Sequence, residues 1–490
     1  MIVSPITKGV FFAYFIVLIL ISLWSYFRGK KSSSFQEEYF VAGRSLGAWV
    51  VAFTWATSWT SGGTFIGTPA VYYTYGWGTL LWQAGAAVLG ICGMLMIGRR
   101  IATFASEHNC VTLPDLFNER FKSNIMGTLA ALSIIIFGIA YLVSQYTAAA
   151  RILETFFGLD YMTAIIVFTA VVAVYTILGG IRGVAYNATL QGIIMLGSSV
   201  ILAIIMVTKA GGFAAITQAQ LAQDPNLIVP PGPKNYLPIA TAFSTFFTLG
   251  VAVMAQPHVV TRVFTVKNTD SLKMAGALIS IICMIWFFSL FISAQAARAL
   301  IPAIEVPDQI FPTIVIKYTG TFLAGILMCA PFAAVMSTVS SLTLSCSSAV
   351  IKDIYQRNFN KNLSEQQMKK VTYIATIIFC IIVVFFSLKP PAFLQDIVMF
   401  AINGFAASFT MPIIFGFFWK GSTPAGGLWS MITGFVTMLC LYLLPVQTNL
   451  LGFNPLIWGM LVSAIVMVIV SKFTKVKDEE YNKFVEEIFQ

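Results

Sequence analysis

Histidine and charge are scarce in this chain. His108 and His258 are the only histidines in 490 residues, and charged side chains make up 10% of the sequence, against roughly 25% in soluble globular proteins. With so little imidazole, a histidine-built metal centre or a histidine-driven nucleophile is not expected. The seven cysteines fall in apolar segments or on the expected inner side, and no Cys-x-x-Cys pair occurs, so neither a disulfide framework nor a dithiol motif is expected. No phosphate loop or nucleophile elbow appears. The chain is read as a non-enzyme without a cofactor.

Carboxylates are missing where a proton carrier would need them. All nineteen fall in loops, at segment ends or in the C-terminal tail, with Glu154 near the outer end of its apolar segment. Proton-coupled carriers usually place a titratable group at mid-membrane. Cation binding is therefore left to hydroxyls and carbonyls.

What the chain does have is apolar length. Hydrophobic residues make up 58% and mean hydropathy is +0.85, as expected of a multi-pass protein of the cell membrane. Spans are read at roughly 9–27, 46–73, 77–98, 126–157, 161–179, 186–209, 238–265, 273–299, 317–351, 370–388, 393–418, 424–445 and 453–472. The first, from about Val10 to Tyr26, reads as a span rather than a cleaved signal. Most Lys and Arg, including Arg28, Arg99, Arg100, Lys352 and Arg357, lie in alternate loops that this count places inside, which predicts N-out and C-in. The same bias accounts for the net charge of +10 through an anionic bilayer surface, with no nucleic acid and no obligate protein partner implied.

Two polar stretches interrupt the apolar pattern. Ala330 to Ser341 sets small side chains and hydroxyls inside a span, and lipid offers hydroxyls no partner. Ser337 and Thr338 are adjacent, with Ala334 one turn before Thr338. Two hydroxyls plus a free carbonyl make a hard-oxygen site suited to an alkali cation; tight helix packing through small residues is the competing reading. The second stretch, Phe53 to Thr64, is too rich in Ser, Thr and Gly for a uniform helix. It predicts a broken span whose freed carbonyls coordinate a cation, with a Gly-mediated crossing as the alternative. Gly250 and Ala255-Gln256-Pro257-His258 predict a matching break about half a fold later, since Pro257 removes a backbone hydrogen bond.

With these features in place, the chain resembles the sodium/solute symporter family over nearly its whole length. The landmarks are Glu38 to Arg44, Val111-Thr112-Leu113-Pro114-Asp115, Ala150-Arg151 with Glu154, Tyr175-Thr176 with Gly179-Gly180, Gln256-Pro257-His258 with Arg262, and Ala333 to Thr338 followed by Ile351-Lys352-Asp353. The resemblance implies an all-α, LeuT-type fold of about thirteen helices. One extra helix (1–45) would precede two inverted five-helix repeats (46–209 and 238–418), joined by an outer loop (210–237) and followed by two more helices and a tail (419–490).

The resemblance also implies site residues. The carbonyls of Thr57, Thr60 and Ala334 and the hydroxyls of Ser337 and Thr338 match the sodium site. Ser58, Ser61, Gly62, Gln83, Tyr141, Gln145 and Val253 match the substrate region, although Gln83 and Gln145 would equally serve as helix-to-helix ties. Pro257 and Arg262 are expected to gate the inner vestibule, with an ordinary positive-inside role as the alternative for Arg262. The chain departs from the family at Ala188, where members usually carry an Asp that in some of them joins serines matching Ser340 and Ser341 in a second sodium site. Trp59 also stands where several members have an acid. One Na⁺ per cycle is therefore expected.

The pantothenate branch fits best through Phe65-Ile66-Gly67, Pro69, Tyr75-Gly76, Arg182, Val306-Pro307-Asp308 and Lys389-Pro390-Pro391. The implied function is Na⁺-coupled import of a small, anionic organic solute by alternating access. A monocarboxylate or proline-type amino acid is the alternative substrate. A non-transporting sensor or a passive channel on the same fold is the alternative class.

Overall fold

A computed structural model describes residues 4–28, 35–360, 363–388, 394–443 and 450–489. Lys389, Pro390 and Pro391 lie outside the described residues, as do the side chains of 82–84 and 86–94. Gln83 is among the latter.

The chain is a succession of helices: α1 (Pro5–Arg28), α2 (Phe35–Val41), α3 (Ala48–Trp59), α4 (Thr68–Tyr75), α5 (Leu80–Glu107), α6 (Leu113–Phe121), α7 (Asn124–Phe157), α8 (Tyr161–Lys209) and α9 (Phe213–Gln223), then α10 (Ile239–Val251), α11 (Pro257–Phe264), α12 (Thr269–Leu300), α13 (Ile310–Tyr318) and α14 (Thr321–Ser348). The last five are α15 (Glu365–Ser387), α16 (Leu394–Phe418), α17 (Pro424–Leu443), α18 (Pro455–Phe473) and α19 (Glu479–Ile488). Among the described residues nine helices are long and apolar enough to cross a membrane, or ten if the bent pair α10–α11 counts as one crossing. Three further expected spans fail that test for identifiable reasons. The segment 46–73 is broken into α3 and α4, many side chains of 77–98 are undescribed, and the apolar helix at 161–174 is short.

The expected spans 161–179 and 186–209 form one helix, α8, bent at Gly180. Gly180 has φ +52, a conformation that L side chains rarely adopt, and a Cβ there would meet the Tyr39 ring at 2.8 Å. Glycine thus turns the helix and lets α2 dock against it.

Burial sorts the helices into a centre and a lipid-facing rim. The most hydropathic window of α14 is 83% buried, against 28% for α1 and 33% for α15. On α15, Ile381 and Phe385 are exposed, as a lipid-facing helix requires. Inside an apolar protein, hydroxyl-rich α14 is the central helix because only there do its polar atoms find partners.

On the α6 side, the Thr112 hydroxyl caps α6 by accepting from the Asp115 amide at 3.1 Å, while Asp115 accepts from the Val111 and Thr112 amides at 3.1 and 3.2 Å. The same carboxylate holds Lys352 and Arg357, the latter at 2.6 Å. Thr112 also donates to Asp353 at 2.9 Å. Two motifs far apart in sequence are therefore one ion-paired joint between α6 and the continuation of α14. Glu38 and Arg182 form a second joint at 2.5 Å.

Candidate functional site

The break after α3 creates the site's acceptors. Thr60 is extended, at φ −81 and ψ 130, and the next amides turn away from the helix. Ser61 N–H donates to Thr64 Oγ1 at 3.2 Å, Gly62 N–H to Gln145 Oε1 at 2.8 Å, and Gly63 N–H to Ser61 Oγ at 3.2 Å. Thr64 N–H goes to the Ser61 carbonyl at 2.9 Å. The carbonyls of Thr57 through Thr60 thereby lose the amides that a continuous helix would supply. A wide turn over Gly63–Gly67 leads into α4.

Helix α14 brings hydroxyls to two of these carbonyls. Ser337 Oγ lies 2.9 Å from Thr57 O and 3.0 Å from Ala334 O. Thr338 Oγ1 lies 2.9 Å from Thr60 O and 3.0 Å from Ala334 O. All five residues are fully buried. Three carbonyls and two hydroxyls converge, with no carboxylate among them. This donor set is chemically that of a hard alkali cation, and the C-terminal end of α3 adds its partial negative charge. The Ser-Thr pair packs α14 on α3, and it does so through oxygens.

The second break is also present. The chain turns by 50° between α10 and α11, with Gln256 extended and Pro257 opening α11. On α11, Arg262 is fully buried. Its Nε donates to Ser58 Oγ at 3.1 Å and its Nη2 to Ser341 Oγ. Ser58 and Ser341 are themselves 3.3 Å apart. One guanidinium therefore joins α3, α11 and α14 beside the oxygen cluster.

A cavity of about 40 Å³ lies on the other side of the break. Ser61, Thr64, Thr68 and Tyr141 give it polar wall, while Trp59, Leu249 and Phe287 give it apolar wall. The Trp59 and Phe287 rings meet edge-on at 5.1 Å between centroids. The space holds a few waters, so an organic solute requires the surrounding helices to part.

The expected substrate residues thus divide. Ser61 and Tyr141 line the cavity. Gly62 and Gln145 bond each other and fasten the break to α7, the tie foreseen as the alternative for Gln145. The Ser58 hydroxyl is held by Arg262, Ser341 and the Thr54 carbonyl. Val253 is buried in the turn between α10 and α11, outside the cavity lining. Thr64 and Thr68 were not anticipated, although their four-residue spacing after Gly63 puts both hydroxyls on one helical face. Phe287 carried no local signal.

Around Ala188 the polar side chains are committed elsewhere. Asn187 donates to Ser22 at 2.7 Å and Gln191 to the Tyr14 hydroxyl at 3.2 Å, tying α8 to α1. Ser340 bonds the Ser337 carbonyl at 3.1 Å.

A many-helix membrane protein with two interrupted helices, one of them joined to a hydroxyl-bearing central helix, has the architecture of a LeuT-type secondary carrier. The family profile described as "Sodium:solute symporter family" matches residues 39–434. The chain belongs to the sodium:solute symporter family. It is 31% identical to the sodium/pantothenate symporter of Escherichia coli K12 over 462 residues, covering 94% of this chain and 95% of that protein. It is 28% identical to the osmoregulated proline transporter of Bacillus subtilis strain 168, covering 94% of each chain. Among solved structures, the substrate-bound, outward-open state of a Na⁺-coupled sialic acid symporter superposes with a TM-score of 0.83 at 20% identity, over 96% of this chain and 98% of that one. A nucleobase-cation-symport-1 family transporter in a closed conformation superposes at 0.57 with 13% identity, over 92% and 98%. The protein is a multi-pass membrane symporter that couples a small organic solute to Na⁺, and not an enzyme.

Proposed function

We propose that this symporter imports a small organic carboxylate of the pantothenate type together with one Na⁺, entering with its N-terminus outside and its C-terminus inside. The observation that carries the reading is the five-oxygen cluster of Thr57, Thr60, Ala334, Ser337 and Thr338. It joins the broken helix α3 to α14, so an ion bound there favours one arrangement of these two elements over any other. Residues 46–209 and 238–418 act as inverted repeats, each opening on its interrupted helix, with 1–45 and 419–490 as additions and 210–237 as the outer connection.

Solute binds beside the break, against Ser61, Thr64, Thr68 and Tyr141, whose hydroxyls suit a carboxylate. Arg262 gates the inward path from its seat on Ser58 and Ser341, and Pro257 sets the angle at which α11 carries it. Na⁺ and solute stabilise the outward form and then its closure; release requires the guanidinium to leave both serines. A monovalent anion moving with one Na⁺ carries no net charge, so the membrane potential, worth roughly 2.3 kcal/mol per charge per 100 mV, does not drive the loaded step. The single-ion stoichiometry is supported by Ala188 and by the engagement of Ser341 with a fixed cation.

A proline-type substrate is the second reading, favoured by the relatives of that kind. Against it, Leu249 at the cavity and Val253 in the turn between α10 and α11 stand where proline carriers place aromatic residues. Uptake of labelled pantothenate, pyruvate and proline into proteoliposomes, with Na⁺ or K⁺ gradients, decides among these. Na⁺-dependent pantothenate uptake is expected; equal uptake in K⁺, or preferred proline, would overturn the assignment.

A further inference from the structure

A second cavity, of about 260 Å³, lies far from the site just described, where the chain between α16 and α17 meets the end of α18 and the start of α19. Ser422, Thr423 and Ser471 form its buried hydroxyl floor. Lys420, Lys472 and Lys475 line it together with Tyr481 and Asn482. No carboxylate is in that lining, and among the described residues none of the three lysines makes an ion pair.

Arg120 supplies an independent observation. It is fully buried on α6, donating to Gly416 O at 2.5 Å, to Ser422 Oγ at 2.7 Å and to the Tyr481 hydroxyl at 3.4 Å. Two of these three partners are lining residues of the cavity. Among the described residues no carboxylate lies within ion-pairing distance of its guanidinium. A buried cation without a counter-ion is costly, and burial pushes the Arg120 pKa below its ordinary value. Asp478, Glu479, Glu480, Glu486 and Glu487 lie on and before α19, but none lines the cavity or pairs with Arg120, so the charge missing from the lining is negative.

We propose that this cavity binds a phosphate-bearing anion, held by Lys420, Lys472 and Lys475, hydrogen-bonded by the hydroxyls, and balancing Arg120 through Ser422 and Tyr481. Several separate ammonium and hydroxyl donors suit a tetrahedral group with three or more acceptor oxygens better than a planar carboxylate, which a single bidentate arginine serves. Exposed Phe418 and Phe473 flank the cavity at the ends of α16 and α18, so its rim lies where lipid-facing side chains give way to charge. The headgroup of an anionic phospholipid and a free phosphate from solution both reach such a rim. In either case the ligand would fasten α19 and α18 to α16 through the α16–α17 connection.

The test uses full-length protein in nanodiscs of phosphatidylcholine, with melting followed as inorganic phosphate is titrated against chloride at matched ionic strength, and repeated in nanodiscs containing phosphatidylglycerol. A saturable rise with phosphate identifies a free anion as the ligand; a rise with phosphatidylglycerol alone identifies a headgroup. Either response should weaken by at least about tenfold in affinity in K420Q/K472Q/K475Q and persist in K420R/K472R/K475R. Should the triple glutamine protein fail to fold, K472Q and K475Q singly should each show a smaller loss. The proposal is overturned if wild type responds to neither ligand, or if neutralising the lysines leaves the response unchanged.

Discussion

Arg262 Nε donates to Ser58 Oγ at 3.1 Å across 204 positions of sequence. Ser58 follows Thr57, whose carbonyl belongs to the oxygen cluster, and Ser341, the second seat of the guanidinium, lies one turn beyond Thr338. The cation cluster and the arginine therefore hold the same two helices, α3 and α14, at adjacent levels. An ion in the oxygen cluster and the contacts of Arg262 with Ser58 and Ser341 should report on each other, because each stabilises the same arrangement of α3 and α14.

Removing a hydroxyl from the cluster should weaken Na⁺ binding without unfolding the protein. A hydrogen-bonding group facing a charge contributes roughly 1.5–3 kcal/mol. Thr338→Ala should therefore raise the Na⁺ half-saturation for uptake by about 10- to 100-fold, whereas Thr338→Ser should stay near wild type. The Hill coefficient for Na⁺ should be close to one in wild type, a value of two contradicting the single-ion reading.

Ser341→Ala takes away one seat of Arg262 and leaves Ser58. A hydrogen bond to a charged group contributes roughly 1.5–3 kcal/mol, so its loss shifts the balance between conformers by about 10- to 100-fold. Apparent Na⁺ affinity should fall by that factor while solute selectivity is unchanged. Spin-label distances between α11 and α14 should broaden toward the open form, and an unaltered distribution would remove Arg262 from the gate.

Gly62→Ala is expected to be far more damaging than its size suggests. The added Cβ would stand 2.7 Å from Val335 Cγ2 and 3.0 Å from Ala148 Cβ, and 3.2 Å from the Gln145 oxygen that accepts the Gly62 amide. Such crowding costs about 1–3 kcal/mol and moves the break itself. Uptake should drop by more than about tenfold with a lowered melting temperature, and Gly9→Ala, with nothing within 4 Å, serves as the neutral control.

Asp115 should make the protein acid-sensitive. Burial alone would raise its pKa, but the opposite charges of Lys352 and Arg357 and the amide hydrogen bonds outweigh it and hold the carboxyl below its ordinary 3.8. A depressed folded-state pKa stabilises at pH above the ordinary value and is lost as pH falls through the lower one. Asp115→Asn should cost roughly 3–5 kcal/mol near neutral pH by taking away the partner of Lys352 and leaving Arg357 with Asp353 alone, at 3.5 Å. Its melting curve should also lack the wild type's decline below about pH 4. A variant that melts like wild type at pH 7 would contradict the joint.

The family, the two broken helices and the oxygen cluster were legible because each depends on local chemistry. Ser and Thr at bilayer depth must find oxygen or water, a run rich in Ser, Thr and Gly makes a poor uniform helix, and Pro removes a backbone hydrogen bond. The solute residues were less legible. Ser61 and Tyr141 line the cavity, whereas Ser58, Gly62, Gln145 and Val253 do not. At a helix break neighbouring residues point in unrelated directions, so a matched position does not specify which way its side chain looks.

By itself the sequence determined that the chain spans a membrane many times, that its apolar segments carry hydroxyls where carboxylates are missing, and that α3 and α10–α11 are interrupted. These follow from which side chains lipid tolerates and which backbone groups a helix can satisfy. Only the tertiary structure decided that Thr57 and Thr60 meet Ser337 and Thr338, across 280 and 278 positions, and that Arg262 turns inward onto Ser58 and Ser341 instead of outward to lipid headgroups. A buried guanidinium is tolerable only where acceptors reach it, and for Arg262 those are hydroxyls on α3 and α14, whose positions depend on how α3, α11 and α14 pack together.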